Sequence, residues 1–198
     1  GDVYKRQLQG YDWHLHNNSE QGLFIDSATV VVDGLTTADN GHSGAHIFDA
    51  RYITLSNFTS TNDGSLGSNA MDQAGLSYQK SNDLETTSGD VACMNCHIEA
   101  SQGHGVYVID SVDLWLDQLS ITGIDASLPA MYVDNGGLTL GTQGGRFNLL
   151  NANIEHESST QYALYIEQAA GNIDGLTLQG NHSGISVSYT HLTLPTTE

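Results

Sequence analysis

Apolar and polar residues alternate along this chain in bursts of three to five residues, and the bursts recur as a set. The fullest copy is "GVYVIDSVDLWLDQLSI" (105–121). A small residue opens it. Two apolar positions then flank a polar one, a polar turn follows, and two further apolar pairs close the set on either side of a polar dipeptide. "GAHIFDARYITLSNFTS" (44–60) repeats this order. "GLSYQKSNDLET" begins a copy at Gly75 that "VACMNCHI" (91–98) completes after an insertion. Further copies open at Gly22, Ala130, Ala163 and Gly184, so successive openings lie 22, 31, 30, 25, 33 and 21 residues apart.

A period of two belongs to a strand with one buried face, and no stretch carries the helix period. One repeat with three such strands cannot bury its own apolar face, so repeats must stack. The pattern predicts an all-β solenoid of about six to seven coils, each of three short strands. Leu, Ile, Val and Met then form interior columns, and "SLGSNAMDQ" (65–73) and "GTQGGR" (141–146) become lateral loops. Over 22–187, and earlier through "GYDWHL", this pattern resembles the right-handed parallel β-helix, the pectin-lyase-like fold. That resemblance implies a single-stranded right-handed solenoid and leaves function open, since one fold hosts many functions.

The same pattern marks the ends. Gly, Asn and Asp recur every few residues between Leu8 and Val187, and none occurs from Ser188 to Glu198. "DVYKRQ" (2–7) holds two of the five Lys and Arg of the chain. It and "VSYTHLTLPTT" resemble translated sequencing-adapter read-through. The resemblance implies that 1–7 and 188–198 are artefacts of a metagenomic fragment. Residues 8–187 are then an interior part of a larger solenoid, whose neighbouring coils belong to the rest of its own chain. The alternative is a genuine polar tail with one late strand, "THLTL".

Composition narrows the partners. The formal net charge is −18, so nucleic acid and anionic membranes are poor partners. No apolar run is long enough to insert in a membrane. An acidic surface almost without Lys suits an extracellular or cell-surface setting.

"CMNCH" (93–97) matches the C-x-x-C-H signature of c-type haem attachment. The repeat offers a competing account. Val91, Cys93, Cys96 and Ile98 occupy its apolar positions, so both thiols point inward as small core residues. A disulfide or a metal role is the other alternative. No cofactor is called for. Asp- and Asn-rich turns such as "TADNGHSG" suit calcium, and suit ordinary turn chemistry better. "NFT" (57–59) and "NHS" (181–183) satisfy the N-glycosylation sequon.

"GHGVYV" (103–108) resembles the Gly-His-Gly motif of polygalacturonase-type glycoside hydrolases, and "TNDG" (61–64) their Asn-Thr-Asp-Gly motif. The resemblance implies His104 and Asp63 as catalytic candidates. The Asp-Asp doublet and the Arg-Ile-Lys motif of that family are missing, and no Arg or Lys is placed as a lyase base.

The outward positions say more. The first outward residue after each opening is Phe24, His46, Ser77, Tyr107, Tyr132, Tyr165 and Ser186, and the second is Asp26, Phe48, Gln79, Ile109, Asp134 and Glu167. Stacked strands lie about 4.8 Å apart, so each set forms a column. Tyr107, Tyr132, Tyr165, Asp134, Glu167 and His46 are the candidate substrate-binding residues. Aromatic faces suit apolar sugar faces, and carboxylates accept hydroxyl hydrogen bonds. Stacked aromatics also stabilise neighbouring strands with no ligand at all. The expectation is a surface scaffold or adhesin-like module with a lateral face for a polysaccharide or surface glycan. The alternative is a polysaccharide-active hydrolase or lyase.

Overall fold

The computed structural model describes residues 7–49, 52–79, 89–109, 112–125, 127–134 and 146–188. Its first strands are β1 (Gln7–His16), β2 (Leu23–Asp26) and β3 (Thr29–Ala38). Next come β4 (Ala45–Phe48), β5 (Tyr52–Ser56) and β6 (Thr59–Thr61), then β7 (Leu76–Gln79) and β8 (Gly89–Glu99). They are followed by β9 (Val106–Ile109), β10 (Val112–Thr122), β11 (Met131–Asp134), β12 (Arg146–Leu150) and β13 (Asn153–Glu155). The last are β14 (Leu164–Glu167), β15 (Ala170–Asp174), β16 (Thr177–Gln179) and β17 (Ile185–Ser188).

All of these strands fall into two sheets. A seven-stranded sheet runs β2-β4-β7-β9-β11-β14-β17. A ten-stranded sheet runs β1-β3-β5-β8-β10-β12-β15, with β6 beside β3 and β8, and with β13 and β16 continuing from β10. Every pairing is parallel and joins a strand to its equivalent in an adjacent repeat. The chain therefore alternates between the sheets and advances one strand in each per repeat. Among the described residues no helix is long and apolar enough to cross a membrane.

Period-two alternation sends one face of each strand inward. In the seven-stranded sheet, Ile25, Ile47, Tyr78, Val108, Val133 and Ile166 are consecutive partners and all buried. In the other sheet, Val32, Leu55, Cys93, Leu116 and Leu149 are partners and buried. Each such aliphatic side chain contributes about 1.5–3 kcal/mol by leaving water. At the β17 edge the matching residues Ile185 and Val187 are exposed, because no described strand lies beyond them.

The three predicted strands per repeat become two in several places. β3, β8 and β10 each run through the polar dipeptide that divides the apolar pairs. The second residue of that dipeptide is left-handed in every repeat: Asp12, Gly34, Asn57, Asn95, Gln118, Asn151 and Gly175 have φ between 50° and 78°. One αL residue turns the strand while the ladder resumes on both sides, as from Asp117–Met94 to Leu119–Cys96. Asn and Asp tolerate this conformation better than other non-glycine residues. Side chains tie the corner together. Asn95 Nδ2 donates to Asn57 Oδ1 at 2.6 Å, Asn57 Nδ2 to Asp33 Oδ1 at 2.6 Å, and Asn151 Nδ2 to Asp117 Oδ1 at 2.9 Å.

The small openings have a steric cause. A Cβ on Gly44 would lie 2.5 Å from the Ser60 and Thr37 hydroxyls and 2.6 Å from Asp63 Oδ2. The chain enters the seven-stranded sheet against the end of the preceding strand, and only a small residue passes.

Cys93 and Cys96 are both buried, as their apolar positions require, and they form a disulfide across the Asn95 corner. This corrects the expectation of two free core thiols. It also leaves no thiol at this motif for haem vinyl groups or for a metal.

Candidate functional site

The seven-stranded sheet presents both outward columns in register. Phe24, His46, Ser77, Tyr107, Tyr132, Tyr165 and Ser186 are consecutive cross-strand partners. Asp26, Phe48, Gln79, Ile109, Asp134 and Glu167 form the second column two residues along. The pairing follows from the apolar partners. A one-residue slip would turn Val108, Val133 and Ile166 out to solvent.

Three neighbouring strands supply a tyrosine ladder. The Tyr107 and Tyr132 rings stack with centroids 5.2 Å apart and planes 19° apart. Tyr132 and Tyr165 repeat this at 5.2 Å and 3°. Parallel rings this close overlap as an offset stack, because rings lying flat side by side would interpenetrate at their edges. The expectation of open ring faces therefore changes. The faces between rungs are used by the rungs themselves, and what points outward is a row of ring edges and phenol hydroxyls. His104 packs against two rungs at once, Tyr107 at 5.0 Å and 27° and Tyr132 at 5.8 Å and 45°. Tyr162 leans on Tyr165 at 6.2 Å and 50°.

Carboxylates set the electrostatics. Asp134 and Glu167 are direct cross-strand partners beside the ladder. Burial, and after it the charges of Asp134 and Glu167, push the Tyr132 phenol up to about 12. The charge of Glu167 is the largest cause raising Tyr165, whose phenol it also meets by hydrogen bond. Both phenols stay protonated through neutral pH, and the face offers O–H donors next to anionic acceptors.

His104 lies beneath rather than upon this face. It is 3% exposed, and its Nδ1–H donates to the Pro129 carbonyl at 2.6 Å. Burial lowers its pKa, against opposing contributions from the Pro129 hydrogen bond and Asp125. The ring is then a neutral Nδ1–H tautomer at pH 7, with Nε2 as its acceptor.

Asp63, the acidic catalytic candidate of the sequence, is an internal hydrogen-bonding hub in the fold. It is fully buried, and both of its oxygens are engaged. Asn40 N–H and Nδ2 donate to Oδ1 at 2.9 and 2.8 Å, and the Thr37 and Ser60 hydroxyls each donate to Oδ2 at 2.7 Å. These four bonds join two adjacent repeats, and none leads to the ladder.

His46 is largely buried as well. It belongs to the outward column yet is only 7% exposed. Its Nδ1 lies 3.2 Å from Ser77 Oγ, and Phe24 tilts against its ring at 5.4 Å. Burial lowers its pKa, and Asp72 of the 65–73 insertion opposes that. The accessible face therefore begins at Tyr107.

Among the described residues no three His, Cys, Asp or Glu gather so as to hold a metal ion. Asn57 of the first sequon is committed to the corner ladder. Asn181 of the second is exposed. No known protein family matches the chain, and no curated protein or solved structure is detectably similar to it.

Proposed function

We propose that this chain is a right-handed parallel β-helix of the pectin-lyase-like kind. On this reading it serves as an extracellular or surface scaffold that binds a polysaccharide along the face carrying Tyr107, Tyr132, Tyr165, Asp134 and Glu167. Two parallel sheets traversed alternately support the solenoid, and parallel crossovers are right-handed in about 98% of cases. The Cys93–Cys96 disulfide fits an oxidising compartment. The observation that carries the binding reading is the three-rung phenol row beside two in-register carboxylates. A row of phenol hydroxyls and a shorter row of carboxylates run side by side there, each repeating at the spacing of adjacent strands, which matches a chain rich in hydroxyl groups. The carboxylates favour a neutral glycan over a uronate. The test is retention of the full chain on immobilised cellulose, chitin and polygalacturonate. The neutral polymers should retain it, and Asp134→Asn with Glu167→Gln should weaken retention. Preference for polygalacturonate would overturn the reading.

One observation favours an enzyme instead. Asp134 and Glu167 sit opposite each other on β11 and β14, and glycoside hydrolysis needs two neighbouring carboxyl groups. A reducing-sugar assay on the same polymers decides it. Product formation abolished by either single amide substitution would replace the scaffold reading.

A further inference from the structure

The ten-stranded sheet carries an aromatic feature of a different kind. Tyr52 on β5 and Trp115 on β10 are 48% and 45% exposed. Neither ring stacks on another ring among the described residues, unlike those of the tyrosine ladder. They stand on either side of β8. Tyr52 is the partner of Asp90, and Trp115 is the partner of Ala92 two residues along. Between the two rings, β8 therefore presents a methyl group and one carboxylate where a large side chain would fill the space. The result is a cavity of about 330 Å³ with Tyr52 and Trp115 as walls and Ala92 in its floor. That volume lies at the lower end of the range for small-ligand sites, about 300–1,000 Å³.

The rim is polar and charged. Asp90 and Asp113 are partners on β8 and β10, Arg146 opens β12 beside Asp113, and all three line the cavity. Arg146 N–H donates to Asp113 Oδ1 at 2.7 Å, which fixes that carboxylate. The Arg146 guanidinium is exposed and has no ion-pair partner among the described residues. It is also the single Lys or Arg among them. In a chain of net charge −18, the one described cation stands beside two exposed aromatic rings.

We infer that this slot is a second sugar-binding site, for a neutral pyranose unit of a polysaccharide, separate from the tyrosine ladder. The apolar face of a pyranose packs on an exposed aromatic ring. Its hydroxyls donate to Asp90 and Asp113 and accept from Arg146, and charged partners make these the stronger class of hydrogen bond. A purely apolar ligand would strip water from three charged groups with no return. A polyanion would meet two carboxylates at the rim and an acidic molecule beyond it. The inference does not rest on the ladder, since no residue is shared.

Trp115 is its own reporter. Trp13 is the other Trp of the chain, so Trp13→Phe in the full chain leaves Trp115 as the single tryptophan, read by excitation to the red of tyrosine absorption. Titration with cellohexaose and with chitohexaose should give a saturable change in Trp115 emission with at least one of them. Ala92→Phe fills the slot from an outward position and should weaken that response at least about tenfold. Tyr107→Phe with Tyr132→Phe and Tyr165→Phe should leave it unchanged. A silent Trp115 with both sugars overturns the second site, as does a response that survives Ala92→Phe. Calorimetric binding that is lost in the tyrosine variant while Trp115 stays silent overturns the second site and leaves the ladder standing.

Discussion

Tyr132 and Tyr165, on β11 and β14, stack with centroids 5.2 Å apart and planes within 3° of parallel. Tyr107 stacks on the other side of Tyr132. The middle ring thus has a partner on each face, and aromatic pairs add about 0.5–1.5 kcal/mol each beyond their area. Tyr132→Ala should cost about 1–3 kcal/mol in urea unfolding, whereas Tyr132→Phe should cost little. An equal cost for the two would mean that the hydroxyl, not the stack, holds the ring.

Asn95 combines a left-handed backbone, φ 55°, with a side-chain bond to Asn57. Asn95→Ala loses the bond and strains the corner, each at about 1 kcal/mol. Asn95→Gly loses only the bond. Gly34 and Gly175 fill this corner in other repeats, so glycine is compatible with it. The expected order of urea midpoints is Asn, then Gly, then Ala. Ala at or above Gly would contradict the corner account.

Asp63 is a fold residue by its hydrogen bonds. Asp63→Ala should destabilise by at least about 3 kcal/mol, because buried donors from Thr37, Ser60 and Asn40 lose their acceptor. Asp63→Asn keeps one acceptor oxygen and should cost less. Unfolding monitored by circular dichroism checks both, and a near-neutral Asp63→Ala would return this carboxylate to the list of catalytic candidates.

Acidification acts through buried imidazoles. His46, His104 and His156 all have pKa values lowered by burial. Asp72 opposes the shift at His46 and Asp125 that at His104, while His182 reinforces it at His156. Below about pH 6.5 the unfolded chain binds protons that the folded chain refuses, so stability falls as pH falls. The melting temperature should drop between pH 7 and about 5.5, before most carboxylates titrate. His104→Gln should reduce the slope. A flat profile would mean that these rings take up protons as readily in the fold as in the unfolded chain.

Much of the architecture was legible because it rests on period two. Val108, Val133 and Ile166 are apolar at matching offsets from their openings, so their outward neighbours Tyr107, Tyr132 and Tyr165 had to align. What the alternation does not carry is depth. His46 and Ser77 occupy outward positions and are buried. Asp63 looked like a motif residue because "TNDG" says nothing of the four donors that converge on it from 37, 40 and 60. The corner column was half visible. Asn57, Asn95 and Asn151 announce a left-handed residue, but Gln118 does so only once its partners are known. The orientation of the tyrosine rings was out of reach, since it depends on side-chain torsions and not on register.

On the proposed function, hydroxyls of the stacked tyrosines, flanked by Asp134 and Glu167, bind a neutral glycan. Tyr107→Phe, Tyr132→Phe and Tyr165→Phe in one chain keeps the stack and removes only those hydroxyls. Calorimetric titration with cellohexaose and chitohexaose, on the Ala92→Phe background to exclude the other sheet, reads the ladder alone. Binding should weaken at least about tenfold in the triple variant at an unchanged melting temperature. Equal affinity with and without the three hydroxyls, or no binding before their removal, would contradict it.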